Sequence, residues 1–377
     1  GDASTTFTRD ETAPSTPTLV VNGGSYINQF NYTNASLSIS GEAGTTYNYS
    51  IESDGGGTPV TGSGTIPGGG TESLTGLDLT GVNDGTVTAS ATLTDAAGNV
   101  SSVGTDTETK DIVGPSISSI VATGGNGTQD GTYILNEQVS FTVNWDETVS
   151  VTGTPQLQMS LSSSTASSFA DYSTGDGTSS LVMVYTVKED DQDSDLTHIN
   201  GNLSLNGGTI EDTYGNSATL TLPTNTTFQG GNAIVVDARK PRITVQYYSN
   251  VGMTFALADD FTFITAASQN EGYLKVYADE ALITKPTLDI ESQGDQNDVN
   301  TSSGLDSVDQ QTYRYHRQIT TDLGTDGTVR EVISVTAEDL NGNSVTATVS
   351  NSYITSTINK QAFIDCTPPT FTMQYYS

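Results

Sequence analysis

Carboxylates carry the chemistry open to this chain, and they recur in two fixed patterns. In the first, an Asp precedes a Pro by four residues: Asp10 and Pro14, Asp111 and Pro115, Asp237 and Pro241, Asp365 and Pro369. Successive Asp residues lie 101, 126 and 128 positions apart, and each interval is the size of one domain. In the second pattern, inside each interval, an Asp is followed by Gly and Asn: Asp95 with Gly98 and Asn99, Asp212 with Gly215 and Asn216, Asp339 with Gly342 and Asn343. A hard cation such as Ca²⁺ takes carboxylate and amide oxygens of this kind. Regular recurrence marks a tandem array, so function is to be sought in the array and its joints.

The elements that must position these groups are strands. Short runs alternate apolar and polar residues, as at residues 18–21, 36–40, 47–51 and 86–93, and Gly, Asn and Asp separate them. The spacing predicts an all-β chain of three tandem Ig-like antiparallel β-sandwich domains in a linear array. Their expected bounds are 10–112, 113–236 and 237–364. Residues 1–9 read as the last strand of a preceding domain, and residues 365–377 as the first strand of a following one. The segment Phe371–Ser377 repeats Ile243–Ser249 at the same offset from its Pro; the reading leaves open a truncated array or a strand exchanged between subunits. Trp145 is expected in the core of the second domain.

In an Ig-type sandwich the Asp-x-x-Gly-Asn turn lies at the pole where the chain comes in. Gly and Asn supply its left-handed backbone, and Asp bonds its own loop. Each leading Asp then meets the turn of the domain it introduces: Asp10 with Asp95 and Asn99, Asp111 with Asp212 and Asn216, Asp237 with Asp339 and Asn343. Converging carboxylates repel unless a cation neutralises them. The same residues also serve a turn that binds nothing, and both readings stand. Pro after the Asp limits linker flexibility and ends strand pairing.

Asp191, Asp193 and Asp195 share the alternating acidic spacing that opens an EF-hand, but Leu196 stands where the motif needs Gly and Asn202 where it needs Glu. A looser Ca²⁺ loop near Asp237 and a plain solvated loop both fit. Asp84 occupies the comparable loop of the first domain, within expected reach of Asp111. The acids at 295 and 298 read as a mobile loop.

Composition narrows the rest. Acids outnumber bases 44 to 12, for a formal net charge of −32. Such a surface repels nucleic acid and anionic membrane. Cys366 is the sole cysteine, which excludes an internal disulfide framework and a thiolate zinc site. No apolar run approaches membrane-spanning length. Catalysis has little support: His198 and His316 are the only histidines, and metalloprotease, phosphate-loop and nucleophile-elbow motifs are missing. Acid pairs such as Asp279–Glu280 are too common here to mark a glycosidase. The first domain's only lysine, Lys110, sits at its exit, which argues against a buried lysine crosslink.

Asp10 to Pro14 and residues 94–100 resemble bacterial Ig-like tandem repeats of giant, RTX-type, calcium-dependent surface adhesins. Residues 205–216 and 233–237 are similar to a longer form of that repeat; the third interval matches only at 339–343 and at Asp365 to Pro369. The resemblance implies a non-enzymatic extender or stalk on a bacterial cell surface, with Ca²⁺-stiffened linkers and neighbouring domains of the same chain as partners. Two other readings remain. One is an adhesion module binding glycan or protein through the third domain, where Tyr313, Tyr315 and Arg317 share a strand face. The other is a self-assembling extracellular filament or sheath built by strand exchange.

Overall fold

The computed structural model describes residues 9–122, 131–162, 168–224, 233–248, 262–264, 271–292, 310–318, 331–348 and 363–365. Every regular element among them is a β-strand, apart from a single 3₁₀ turn at Asn22–Gly24. In the first group, Thr18–Val21, Ala35–Ser40 and Thr71–Leu77 form an antiparallel sheet. Val60–Thr65, Thr46–Ser53, Gly85–Thr94 and Gly104–Lys110 form a second sheet in that order. Alternation turns Leu37 and Ile39 of one sheet, and Ile51, Val87 and Leu93 of the other, into one shared core. The outward positions of the second sheet are almost all hydroxylated: Thr46 lies between Thr65 and Thr94, and Ser50 between Thr61 and Ser90. Threonine satisfies the pleat sterically without adding apolar surface.

A second core, separate from the first, runs from Ile120 to Ala238 and includes Phe141, Val143, Trp145, Leu157, Met183, Tyr185 and Val236. Trp145 is buried there, in the long strand Gln138–Thr152. That strand pairs with Thr178–Thr186 and with Ile117–Ala122, then shifts register beyond Asn144 and pairs with Thr209–Glu211. In the third group, Ile243–Tyr248, Glu271–Ala278 and Thr312–Gln318 form one antiparallel sheet. Thr287–Ser292, Glu331–Glu338 and Ser344–Thr348 form another. Among the described residues no helix is long and apolar enough to cross a membrane.

One unusual pairing occurs in all three groups. The exit segment runs parallel to an early segment: Lys110 beside Ile27, Val235 and Val236 beside Thr132 and Tyr133, and Phe363–Asp365 beside Thr262–Ile264. Parallel neighbours need a long crossover. Here the intervening strands supply it, and the chain is delivered to the far pole, where the next Asp follows.

Lys110 departs from expectation. It is 2% exposed, not a surface residue at the exit. Its position corresponds to Val236 of the second group, since each immediately precedes the leading Asp. The stem fills a core position, while Nζ reaches Asp84 Oδ1 at 2.5 Å and lies 5.9 Å from the centre of the Tyr32 ring. Its partner is thus a carboxylate in an ion pair. Removing either side has unequal effects, because Asp84 keeps access to water and Lys110 does not. Asp84→Ala should cost about 2 kcal/mol or more by stranding a buried ammonium, whereas Lys110→Met should stay within about 1 kcal/mol of the parent. Urea unfolding of the two variants measures the difference, and equal losses would contradict this account.

Candidate metal centres at the joints

The Asp-x-x-Gly-Asn turn is built the same way three times. The first Asp accepts from the amide two residues on (Ala97 at 2.9 Å, Tyr214 at 2.7 Å, Asn341 at 2.8 Å). The same oxygen accepts from the amide of the turn Asn, at 2.8, 2.8 and 2.9 Å. Gly98, Gly215 and Gly342 hold φ of +93°, +83° and +93°, where an L side chain is strained. The Asn side chain then donates back to the second oxygen of its Asp, at 2.8, 2.6 and 2.8 Å.

That amide has a second task, which brings the two sequence patterns together. Asn216 Nδ2 donates to the main-chain oxygen of Asp111 at 3.0 Å, and Asn343 Nδ2 to that of Asp237 at 2.8 Å. At the first turn the contact is looser: Asn99 Nδ2 lies 3.3 Å from the oxygen of Asp10 and 3.4 Å from that of Thr12. The incoming backbone is therefore fastened to the turn by a neutral amide, while the leading Asp carboxylate accepts from the amide two residues on, Val113 for Asp111 and Arg239 for Asp237.

Two acid triads assemble there among the described residues: Asp111 with Glu147 and Asp212, and Asp237 with Glu280 and Asp339. Within each triad, one oxygen from every member lies within 4.8 Å of the others. Glu147 sits where the long strand leaves one neighbour for the next, and Ser150 pairs with Glu211, the residue before Asp212. A register shift of this kind re-aims a side chain. Glu280 comes close by a similar route, because Leu282 bridges Asp339.

Neither Glu was picked out by sequence reasoning. The available signal was the Asp-Glu pair after a strongly alternating run, Asp146–Glu147 and Asp279–Glu280, present in both longer intervals. Sequence reading weighed the second pair only as a glycosidase signature.

Electrostatics at both triads favours added positive charge. Two carboxylates this close repel by roughly 4 kcal/mol at an effective dielectric constant near 20. Both Asp111 and Glu147 are pushed upward, first by desolvation; Asp212 and Asp84 add to it at Asp111, and Asp212, Asp111 and Asp146 at Glu147. Glu280 is pushed up to about 7 by burial, with Asp237 and Asp339 adding to it. Its Oε1 is buried without a hydrogen-bond partner. An orphaned carboxylate oxygen facing two further acids is a donor set that suits Ca²⁺, and it would accept a proton in the cation's place.

The remaining predicted site residues have other partners. Asp10 turns onto the Thr12 amide at 3.0 Å. Among the described residues Asp95 bonds only its own turn, and Asn99 holds it below the usual carboxylate range. Asp84 is near enough to Asp111 to push its carboxyl upward, but its own two oxygens accept from Lys110 Nζ and the Ile112 amide. The acidic loop does lie beside Asp237, through pairing of Gln192 with it. Its carboxylates do not converge, however. Asp191 accepts from Tyr185 Oη and from the Lys188 amide; Asp193 accepts from Ser162 and from the Asp195 amide. Tyr313 and Tyr315 are buried, with their hydroxyls donating to Gln310 and Pro286 oxygens, so they present no face to a ligand. The side chains of Arg317 and Asp365 and the segment 366–377 lie outside the described residues.

No protein-family model matches the chain, and no curated protein matches it. Among solved structures, a Ca²⁺-stabilized adhesin that helps an Antarctic bacterium reach out and bind ice is 16% identical; the match covers 90% of this chain and 73% of that one, with a TM-score of 0.40. A 1.5-MDa bacterial ice-binding adhesin is 15% identical, covering 90% and 97%, with a TM-score of 0.35. A tetra-tandem repeat from the extending region of a large adhesion protein is 20% identical, covering 89% and 73%, with a TM-score of 0.25. Likenesses of this size leave function to be argued from the chain's own residues.

Cation binding at the second triad must compete with a proton on Glu280. Affinity for Ca²⁺ should fall as pH drops through about 7, and proton release on binding should appear in calorimetry across buffers of different ionisation heat. Glu280→Gln should abolish that pH dependence. In the cation-free protein the sign reverses. The folded state holds the proton up to about 7, against 4.5 for the unconstrained side chain. This contribution to stability is fully present at low pH and is lost as pH rises through that window. A chelated sample whose melting temperature rises from pH 5 to 7 would contradict it.

Proposed function

We propose that this chain is a structural extender segment of a large bacterial surface or secreted fibre protein. It would consist of three tandem Ig-like sandwiches, at 10–112, 113–236 and 237–364, with Ca²⁺ stiffening the joints. The observation that carries the reading is the coupling of each acid triad to a turn that already grips the incoming backbone. Asp111, Glu147 and Asp212 would hold one ion; Asp237, Glu280 and Asp339 would hold another. Each set draws one carboxylate from the linker and two from the sandwich that follows. An ion shared in this way ties linker to sandwich, and a hinge becomes a strut. The recurring parallel exit pairing supports the tandem reading. The function is mechanical and extracellular, where Ca²⁺ modules bind with dissociation constants of about 10⁻⁴–10⁻³ M.

Three sandwiches in line, each roughly 30–40 Å long, span on the order of 100 Å. Small-angle scattering should give that extended profile with millimolar Ca²⁺, and a shorter, broader distribution of distances after chelation. An unchanged profile would sink the calcium reading. At one hundred times the dissociation constant, binding adds about 2.7 kcal/mol of stability. Melting of the segment that holds Glu147 and Asp212 should then rise by several degrees, and Asp212→Asn should remove the rise. Trp145, the sole tryptophan, lies two residues before Glu147 in the same strand and reports that segment by its fluorescence.

A further inference from the structure

The two joints share a triad but not a scaffold. At the first, the loop after Ile27 crosses to the next sandwich. The Tyr26 ring stands edge-on to Tyr214, with centroids 5.0 Å apart and planes at 86°. Asn28 Nδ2 donates to the Tyr214 oxygen at 2.8 Å, and the Gln29 amide donates to Asn216 Oδ1 at 2.8 Å. The loop is itself anchored on the exit strand, where Ile27 and Asp111 exchange main-chain bonds with their neighbours at 2.9 Å. The first sandwich therefore grips the second at two places, through the linker at Asp111 and through the loop at 26–29.

Parallel pairing identifies the corresponding loop of the second group: Ile27 sits beside Lys110, and Tyr133 beside Val236. After Ile27, residues 28–34 precede the next strand; after Tyr133, only 134–137 do. That shorter loop folds onto its own sandwich, with Asn136 and Val187 amides bonding across it and Glu137 accepting from the Ile134 amide. Among the described residues, the contacts into the third group run through the linker. Asp237 accepts from Asn341 and Asn343, Arg239 pairs with Asp279, and the Arg242 amide donates to the same Asp279. Lys240 ties the linker back to Glu189.

We propose that the first joint is braced by the Tyr26–Gln29 loop independently of any ion, so that cation-dependent stiffness resides in the second joint. The array then has a permanent elbow brace at one joint and a calcium-controlled hinge at the other. This rests on the triads being Ca²⁺ sites, as proposed above. Two-point attachment restricts bending and twisting together, whereas attachment along a single linker restricts them weakly once the central charge is uncompensated.

The test uses the full chain with Cys366→Ser and paired spin labels at exposed positions. Ser73→Cys with Thr174→Cys spans the first joint; Thr174→Cys with Thr336→Cys spans the second. Chelation should broaden the second distance distribution about twofold and leave the first unchanged. Tyr26→Ala combined with Asn28→Ala, both on the surface loop, should make the first pair respond to chelator as well. Equal broadening at both joints in the parent would overturn this inference while leaving the calcium reading intact. An unresponsive double variant, or an unresponsive second pair in a protein that binds Ca²⁺ by calorimetry, would overturn it too. No calorimetric binding and no broadening would remove the calcium reading and this inference with it.

Discussion

A buried amide holding two strangers together sets the geometry of this molecule's joints. Asn216 is fully buried, and its side chain spends both donors at once, on the carboxylate of its own turn and on the carbonyl of Asp111. Its oxygen takes the Gln29 amide as well. Each of those bonds is worth about 1 kcal/mol net, but an unpaired buried donor or acceptor costs more than a bond gains. The amide thus tolerates only one arrangement of linker and turn. Once the backbone is fixed in that way, the Asp111 side chain has little choice but to enter the space already shared by Glu147 and Asp212.

Frustration follows from that arrangement. Hydrogen bonds that favour the turn bring together carboxylates that repel, and the protein has put few bases nearby to relieve them. In the first interval Lys110 is the single cation, and Asp84 has claimed it. At the second joint Arg239 stands near Glu280 but pairs with Asp279, and Glu280 stays half-neutral near pH 7. A site that prefers either a proton or a multivalent ion is the physical outcome, and it lies where the chain would otherwise flex.

Much of this was legible in the residues before any coordinates. The alternation in Gln138–Thr152 and Gly85–Thr94 specifies strands, and the Asp-x-x-Gly-Asn spacing specifies a turn with left-handed glycine, because both are local physics. The meeting of Asp111 with Asn216 was inferable from topology, since a sandwich puts its incoming strand and its last turn at one pole. Glu147 and Glu280 were not legible. Their position depends on a register shift and a bridge that bring one strand beside another, and nothing in an Asp-Glu pair announces that. Lys110 misled for a related reason: a lysine at a domain exit looks solvated until the parallel pairing with Ile27 encloses its stem. The loop acids at 191–195 have the spacing of a cation loop, but spacing does not reveal that Asp191 accepts from Tyr185 and Asp193 from Ser162.

Charge alone does not keep the array straight. Repulsion among 44 acids stiffens a chain only over the screening distance, about 8 Å at physiological salt. A sandwich is several times longer than that, so the bulk of one unit does not sense the bulk of the next. The outward sheet positions of the first group, with their rows of Thr and Ser, add almost no charge to the faces in any case. Whatever sets the angle between neighbours must therefore act within a few ångströms of the linker. Three things lie within that range: the asparagine-fastened backbone, the carboxylates beside it and, at the first joint, the loop at 26–29. The first fixes where the chain crosses; on the reading proposed above, the other two govern whether the crossing resists bending. On that reading, stiffness would be a property of a few atoms at each joint, not of the sandwiches between them.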